Sequence, residues 1–185
     1  MRRNFVKLLD ILEFIKIIFL SRLLGKTYLI QSLYLCREDN IDKILQHYGA
    51  TVGINNKFKN MLAIDNFDGS FENITIGNNC YIGKSVFLDL ANKIILHDDV
   101  VVSSGVSIIT HADVGERLMK KYFQRVSKEV IIGKGSWIGA NATILSGVEI
   151  GEFCVVAAGS VVTENIPDGC LVAGVPAVMK KKITK

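Results

Sequence analysis

A branched aliphatic residue stands at every sixth position from Ile132 onward: Ile132, Ile138, Ile144, Ile150, Val156 and Val162. That period is neither the 3.6 of a helix nor the 2 of a flat strand. The fourth residue after each is Ser136, Ala142, Val148, Cys154, Ser160 and Ile166, so small or branched side chains recur at a second fixed phase. A hexapeptide repeat of this kind specifies a parallel β-helix. Each unit supplies one short strand and one corner, three units close a triangular coil, and one aliphatic per unit points inward. Stacked coils then share one continuous core. Residues eighteen apart are expected in register, about 4.8 Å from one another, as neighbours in a parallel sheet.

An earlier block follows the same rule with Ile76, Ile82 and Leu88, then Leu96, Val102 and Ile108, and places Cys80, Val86, Val100 and Val106 at the small phase. The frame slips by two residues between Leu88 and Leu96, which reads as a corner bulge around Asn92. Four coils from Ile76 to about Pro167 follow. The balance of 22 basic and 18 acidic residues lacks the concentrated basic face that nucleic-acid binding demands. Cys36, Cys80, Cys154 and Cys170 show no CxxC spacing. They read as core thiols in a reducing cytoplasm, not as a disulfide framework.

Residues 1–60 differ in kind. Leu8, Ile11, Leu12, Ile15, Ile18 and Phe19 share one helical face, while Val6, Phe14, Ile17 and Leu20 make the rest apolar. Lys7, Asp10, Glu13, Lys16 and Arg22 interrupt the run too often for a membrane span. Such a helix needs covering, by a partner subunit or by peripheral contact with a membrane surface. A second helix is expected over about Ile41 to Tyr48, with Asp39 or Asn40 as N-cap and Gly49 as stop. The two helices are placed to cap the open first coil. The chain thus divides into a helical segment, 1–60, and a β-helix domain, 61–185, with an inserted loop at 112–130 and a C-terminal tail at 168–185.

Function is expected where the repeat breaks, between His111 and Ile131. Of three histidines, His47 falls on a helix surface and His97 on an outward corner beside Asp98 and Asp99; His111 alone stands at the disruption. A neutral imidazole there suits a general base, because its ordinary pKa of about 6.5 lets it take a proton near neutrality. The competing reading is a hydrogen-bonded loop anchor. Asp89, one coil below, and Asp113, two residues on, are the carboxylates placed to orient His111 or to meet an acceptor. The inserted loop is basic, with Arg117 and Arg125 near its two ends, which hints at a phosphorylated acceptor such as a nucleotide-linked or lipid-linked sugar.

Thr110-His111, the inserted loop, Trp137-Ile138-Gly139-Ala140-Asn141-Ala142, Gly159-Ser160-Val161-Val162-Thr163 and Ala173-Gly174-Val175-Pro176-Ala177 together resemble the hexapeptide-repeat acyltransferases. The chain is most similar to the maltose, galactoside and xenobiotic acetyltransferase branch and to sugar O-acetyltransferases of polysaccharide synthesis. The resemblance implies a left-handed all-β helix, a homotrimer with sites between adjacent prisms, acetyl-CoA as donor, no metal, and a catalytic histidine matched by His111. Ala140, Ala158 and Pro176 are spaced by eighteen, so they are expected to stack into a low groove for the pantetheine arm, with Gly139 and Thr163 in the motifs beside it. By similarity Trp137 packs on that arm; it serves equally as a surface aromatic on the trimer rim. Lys180 and Lys181, with Lys182, stand where basic residues meet nucleotide phosphates in relatives, or form a solvated tail.

The expected reaction is direct transfer of an acetyl group to a sugar or glycan hydroxyl. The alternatives are N-acetylation of a nucleotide-linked amino sugar and a non-catalytic trimeric scaffold. A zinc hydratase like the γ-class carbonic anhydrases needs three converging histidines, and the histidine spacing here does not supply them.

Overall fold

The structure is a computed structural model and describes residues 2–183. Three parallel sheets close a triangular β-helix among the described residues. The first stacks Thr51–Val52, Ile74–Ile76, Ile94–Leu96, Val130–Ile132 and Glu149–Ile150. The second stacks Lys57–Phe58, Tyr81–Ile82, Val101–Val102, Trp137–Ile138, Val155–Val156 and Cys170–Ala173. The third stacks Ala63–Asp65, Phe87–Asp89, Ser107–Ile108, Thr143–Ile144 and Val161–Val162. Every aliphatic of the repeat from Ile76 to Val162 is buried, and so are the second-phase residues, including Ser136, Ser160, Cys80 and Cys154; Cys36 and Cys170 are buried and free as well. Removing one such aliphatic side chain from water contributes roughly 1.5–3 kcal/mol, which is why extra or missing residues are confined to the corners and every strand resumes the inward phase.

The coil turns at its corners through residues with positive φ. Asn79, Asp99 and Phe153 turn one edge, and Ser85, Asn141 and Gly159 another. Asn, Asp and Gly adopt this left-handed conformation at least cost. Extra residues are pushed outward at corners while the strands stay in register. Tyr81 pairs with Val101 across a spacing of twenty, and the backbone N–H of Asn92 donates to Thr110 Oγ1 at 2.9 Å where the slip was expected.

The stack begins earlier than the sequence reading placed it. Thr51–Val52 and Lys57–Phe58 lie ahead of the 60/61 boundary and pair with the next coil, and Val52, Phe58 and Ile64 continue the sixfold inward phase. Within the tail expected over 168–185, residues 170–182 are built onto the coils. Cys170–Ala173 adds a strand to the second sheet, and Val178–Lys182 folds back on it antiparallel.

Three helices precede the coils among the described residues: α1 (Arg2–Leu24), α2 (Lys26–Leu35) and α3 (Glu38–His47). The second of these was not expected, since its apolar residues, Leu29 and Leu33 buried among them, follow no clean polar face. Buried Ile41, Ile44 and Leu45 lay α3 on the first coil, α2 touches it beside Ala63–Asp65, and α1 rests on the two shorter helices. The N-cap of α3 is Arg37, with no side-chain cap bond. Asn40 is buried instead and donates to the Asp10 carbonyl at 2.9 Å and to Glu13 Oε2 at 2.7 Å, tying α3 to α1.

Candidate active site

The edge between the third and first sheets carries a buried polar network, and is called here the histidine edge. Asp89 ends a strand of the third sheet and is 1% exposed. One coil on, Thr110 and His111 follow Ser107–Ile108 at the same corner. Asp89 Oδ2 accepts the backbone N–H of Thr110 at 2.8 Å and of His111 at 2.9 Å, and lies 2.6 Å from His111 Nδ1. Its Oδ1 accepts Asn66 Nδ2 at 2.7 Å and the Ala91 N–H at 3.2 Å. The Thr110 hydroxyl donates back to the Asp89 carbonyl at 2.7 Å.

Burial pushes the Asp89 carboxyl up. Hydrogen bonds from His111, Thr110, Ala91 and Asn66 together outweigh it and hold the group below the usual carboxylate range. An ionised carboxylate only accepts, so the proton of a neutral His111 sits on Nδ1 and the Nε2 lone pair is left for a substrate. The His111 side chain is 26% exposed. Asn66 and Thr110 were not assigned a role from sequence. Thr110 sits beside the one histidine at the disruption, but Asn66 lies in a stretch with no hexapeptide signal.

From this corner residues 111–127 leave as an arm, with His111–Ala112 paired antiparallel to Val126–Ser127 and a 3-10 turn at Leu118–Lys121 near its tip. Asp113 does not join the network. Its Oδ1 accepts the Gly115 N–H at 2.9 Å and its Oδ2 lies 3.4 Å from Arg125 Nη1 within the arm. Arg117 Nη1 donates to the Val114 carbonyl at 3.1 Å, and both guanidinium groups are exposed.

The corner between the second and third sheets is different, and is called here the alanine edge. It climbs through Lys84–Ser85, Ser104–Gly105, Ala140–Asn141 and Ala158–Gly159 by backbone bonds: Gly105 N–H to Lys84 O at 2.9 Å, Asn141 N–H to Ser104 O at 3.0 Å, and Gly159 N–H to Ala140 O at 2.8 Å. A Cβ on Gly139 would come within 2.6 Å of the Ala158 nitrogen, so the coils meet closely there, whereas one on Gly159 would meet nothing within 4 Å. Ala158 is exposed and Ala140 half-buried. Trp137 enters this corner from the outer face of the second sheet, 52% exposed, and donates from Nε1 to Ser103 Oγ at 2.9 Å.

Pro176 does not stack on Ala158. Val155 pairs with Leu171, a spacing of sixteen, so the last coil is two residues short and Gly174 occupies that level; Pro176 lies in the turn beyond. Lys180 and Lys181 are exposed on the outermost strand of the second sheet. Thr163 lies on the histidine edge, since the Leu145 N–H donates to Val162 O at 3.1 Å and Ile109 N–H to Ile144 O at 2.9 Å, which puts Ile109, Leu145 and Thr163 in one column. Within one chain His111 and the Ala140–Ala158 groove therefore stand at opposite ends of the third-sheet strands.

Two descriptions of repeat families match the coils: bacterial transferase hexapeptide (six repeats) over 129–164, and hexapeptide repeat of succinyl-transferase over 73–109. Over those residues the coils are similar to those of the hexapeptide-repeat transferases. The chain is 32% identical over 118 residues to the galactoside O-acetyltransferase of Lactococcus lactis, covering 64% of this chain and 56% of that protein. To the serine acetyltransferase of Buchnera aphidicola it is 38% identical over 105 residues, covering 55% of this chain and 38% of that protein. The chain thus spans little more than half the length of the first relative and less of the second. A galactoside acetyltransferase solved in complex with coenzyme A superposes with a TM-score of 0.74 at 25% identity, covering 84% of this chain and 77% of that one.

Among the described residues no three His, Cys, Asp or Glu side chains converge as a metal site. Burial and the Glu13 charge push the Cys36 thiol up to about 12, and burial raises Cys80 and Cys154, which disfavours the thiolate form of these three.

Proposed function

We propose that this chain is an acetyl-CoA-dependent O-acetyltransferase acting on a sugar hydroxyl, with His111 as general base. The observation that carries the reading is the 2.6 Å contact of Asp89 Oδ2 with His111 Nδ1, which favours a proton on Nδ1 and so supports Nε2 as the acceptor of a substrate proton. Nε2 takes the proton of the acceptor hydroxyl as its oxygen bonds to the thioester carbonyl carbon. The carbon–sulfur bond then breaks, and the CoA thiolate leaves with the proton returned from the imidazolium. Asp89 orients the ring and offsets the imidazolium charge.

The donor lies along the alanine edge, its pantetheine arm over Gly139, Ala140 and Ala158, with Trp137 flanking it and Lys180 and Lys181 near the nucleotide phosphates. Since the two edges of one chain stand apart, the working site pairs the histidine edge of one copy with the alanine edge of the next. A head-to-tail contact of this kind closes into a ring, and a homotrimer satisfies it with three equal sites. Thr163 then faces the neighbour's donor from the histidine edge. Arg117 and Arg125 on the arm meet a phosphorylated acceptor. The name of the Lactococcus relative favours a sugar hydroxyl.

The test is thiol release from acetyl-CoA with a panel of sugars and nucleotide sugars, comparing wild type with His111→Ala. Acceptor-dependent release that disappears in the variant supports the reading. Equal release from both proteins removes His111 from the chemistry.

A further inference from the structure

The outward half of α1 is apolar at its centre and basic at its rims. At 3.6 residues per turn Leu8, Leu12, Ile15 and Phe19 form one stripe, with Phe5 and Leu23 beside it. These six side chains are exposed by 51% to 71%. Scattered surface aliphatics are ordinary, but a continuous stripe along a 23-residue helix, about 35 Å long, is not.

The charges of α1 are segregated about this stripe. Its two acids, Asp10 and Glu13, face the other helices: Asp10 is buried against the Arg37 guanidinium, and Glu13 Oε2 accepts the Arg37 N–H at 3.1 Å and Asn40 Nδ2 at 2.7 Å. Lys7, Lys16 and Arg22 are exposed, with Lys16 and Arg22 on opposite rims of the stripe. The outward half thus presents apolar bulk and cations, while both acids are engaged on the inner side.

That distribution decides between occupants. A second copy laid face to face on this stripe would gather the exposed cations of both helices at one seam, with no acid of α1 to pair them, since Asp10 and Glu13 are engaged by Arg37 and Asn40. An anionic bilayer surface meets both demands: the stripe sinks into the headgroup boundary while lysine and arginine stems reach up to lipid phosphates. No described helix is long and apolar enough to cross a membrane, so α1 would lie in the surface plane. We propose that the outer face of α1 docks on an anionic lipid surface, with its apolar stripe inserted and Lys7, Lys16 and Arg22 on the headgroups.

Co-sedimentation of the full chain with lipid vesicles tests this. Vesicles of phosphatidylcholine with about a third phosphatidylglycerol should bind it at least about tenfold more tightly than phosphatidylcholine alone. Lys16→Gln and Arg22→Gln should each weaken binding by roughly fivefold. Leu12→Glu combined with Phe19→Glu should abolish it while leaving the melting temperature unchanged or higher, because both side chains are already exposed. His111→Ala should bind like wild type, since lipid docking is independent of acetyl transfer. Failure to bind anionic vesicles, or equal binding to both kinds, overturns the proposal. So does a Leu12→Glu, Phe19→Glu protein that binds vesicles normally but sediments as a smaller oligomer, which would give the face to a second copy.

Discussion

The alanine edge and the histidine edge are corners of the same coils, wound by the same six-residue rule, yet they hold the chain together by different means. On the alanine edge the main chain does the work: corner amides bond to corner carbonyls one coil away, and the side chains are kept small. On the histidine edge the coils carry extra residues, and a buried carboxylate takes over where the backbone ladder is interrupted. Asp89 gathers N–H groups from Thr110, His111, Ala91 and Asn66. A buried carboxylate is tolerable only when its oxygens are so satisfied. A regular edge thereby presents a low surface for an extended ligand, and an irregular edge can hold a reactive side chain still.

Variants on each edge should affect the molecule differently. The largest effect belongs to His111→Ala, expected to lower kcat by roughly 10²–10⁴ with little change in melting temperature. A change in the core common to both edges, Ile138→Ala, should cost roughly 2–5 kcal/mol by denaturant titration, because Ile138 is fully buried. Asp89→Asn should cost about 1–3 kcal/mol at neutral pH by the same measurement, since the charged acceptor of several buried N–H groups is lost. The folded state favours the Asp89 carboxylate. Its contribution is therefore present above the ordinary value of 3.8 and lost as pH falls through its lower value in the folded protein, so the stability difference between wild type and Asp89→Asn should shrink on acidification. Ala158→Phe, which fills the open corner of the alanine edge, should raise the acetyl-CoA KM about tenfold with kcat nearly kept, the signature of lost ground-state binding. The smallest effect is expected for Thr163→Ala, a rise in donor KM of about twofold.

Most of the prism was legible because its inward aliphatics repeat without interruption wherever a coil closes in eighteen residues. The first coil was not, since Val52, Phe58 and Ile64 keep the phase for only three units and then a longer corner, residues 66–73, separates them from Ile76. The same dependence on an unbroken count misplaced Pro176, which a short last coil carries past the level of Ala158. His111 and Asp89 could be singled out because a lone histidine at a broken repeat and a carboxylate one coil below are sequence facts. Asn66 could not, for it reaches Asp89 across a coil lengthened to twenty-four residues, and no fixed spacing announces such a contact. Nor does sixfold counting reveal that Ala158 and His111 lie at opposite ends of the third-sheet strands; that follows only once the corners are assigned to edges.

Subunit complementation tests most directly the claim that one copy's histidine edge works with another's alanine edge. His111→Ala and Ala158→Trp, whose larger ring blocks the groove that Phe only narrows, are each expected to be inactive or nearly so in thiol release with an accepted sugar, at acetyl-CoA concentrations near the wild-type KM. Co-expressed and randomly assembled in a trimer, they should recover about a quarter of wild-type activity, because that share of the sites joins an intact His111 to an intact groove. Mixed trimers that remain as inactive as either parent would contradict the account and place both halves of the site in a single chain.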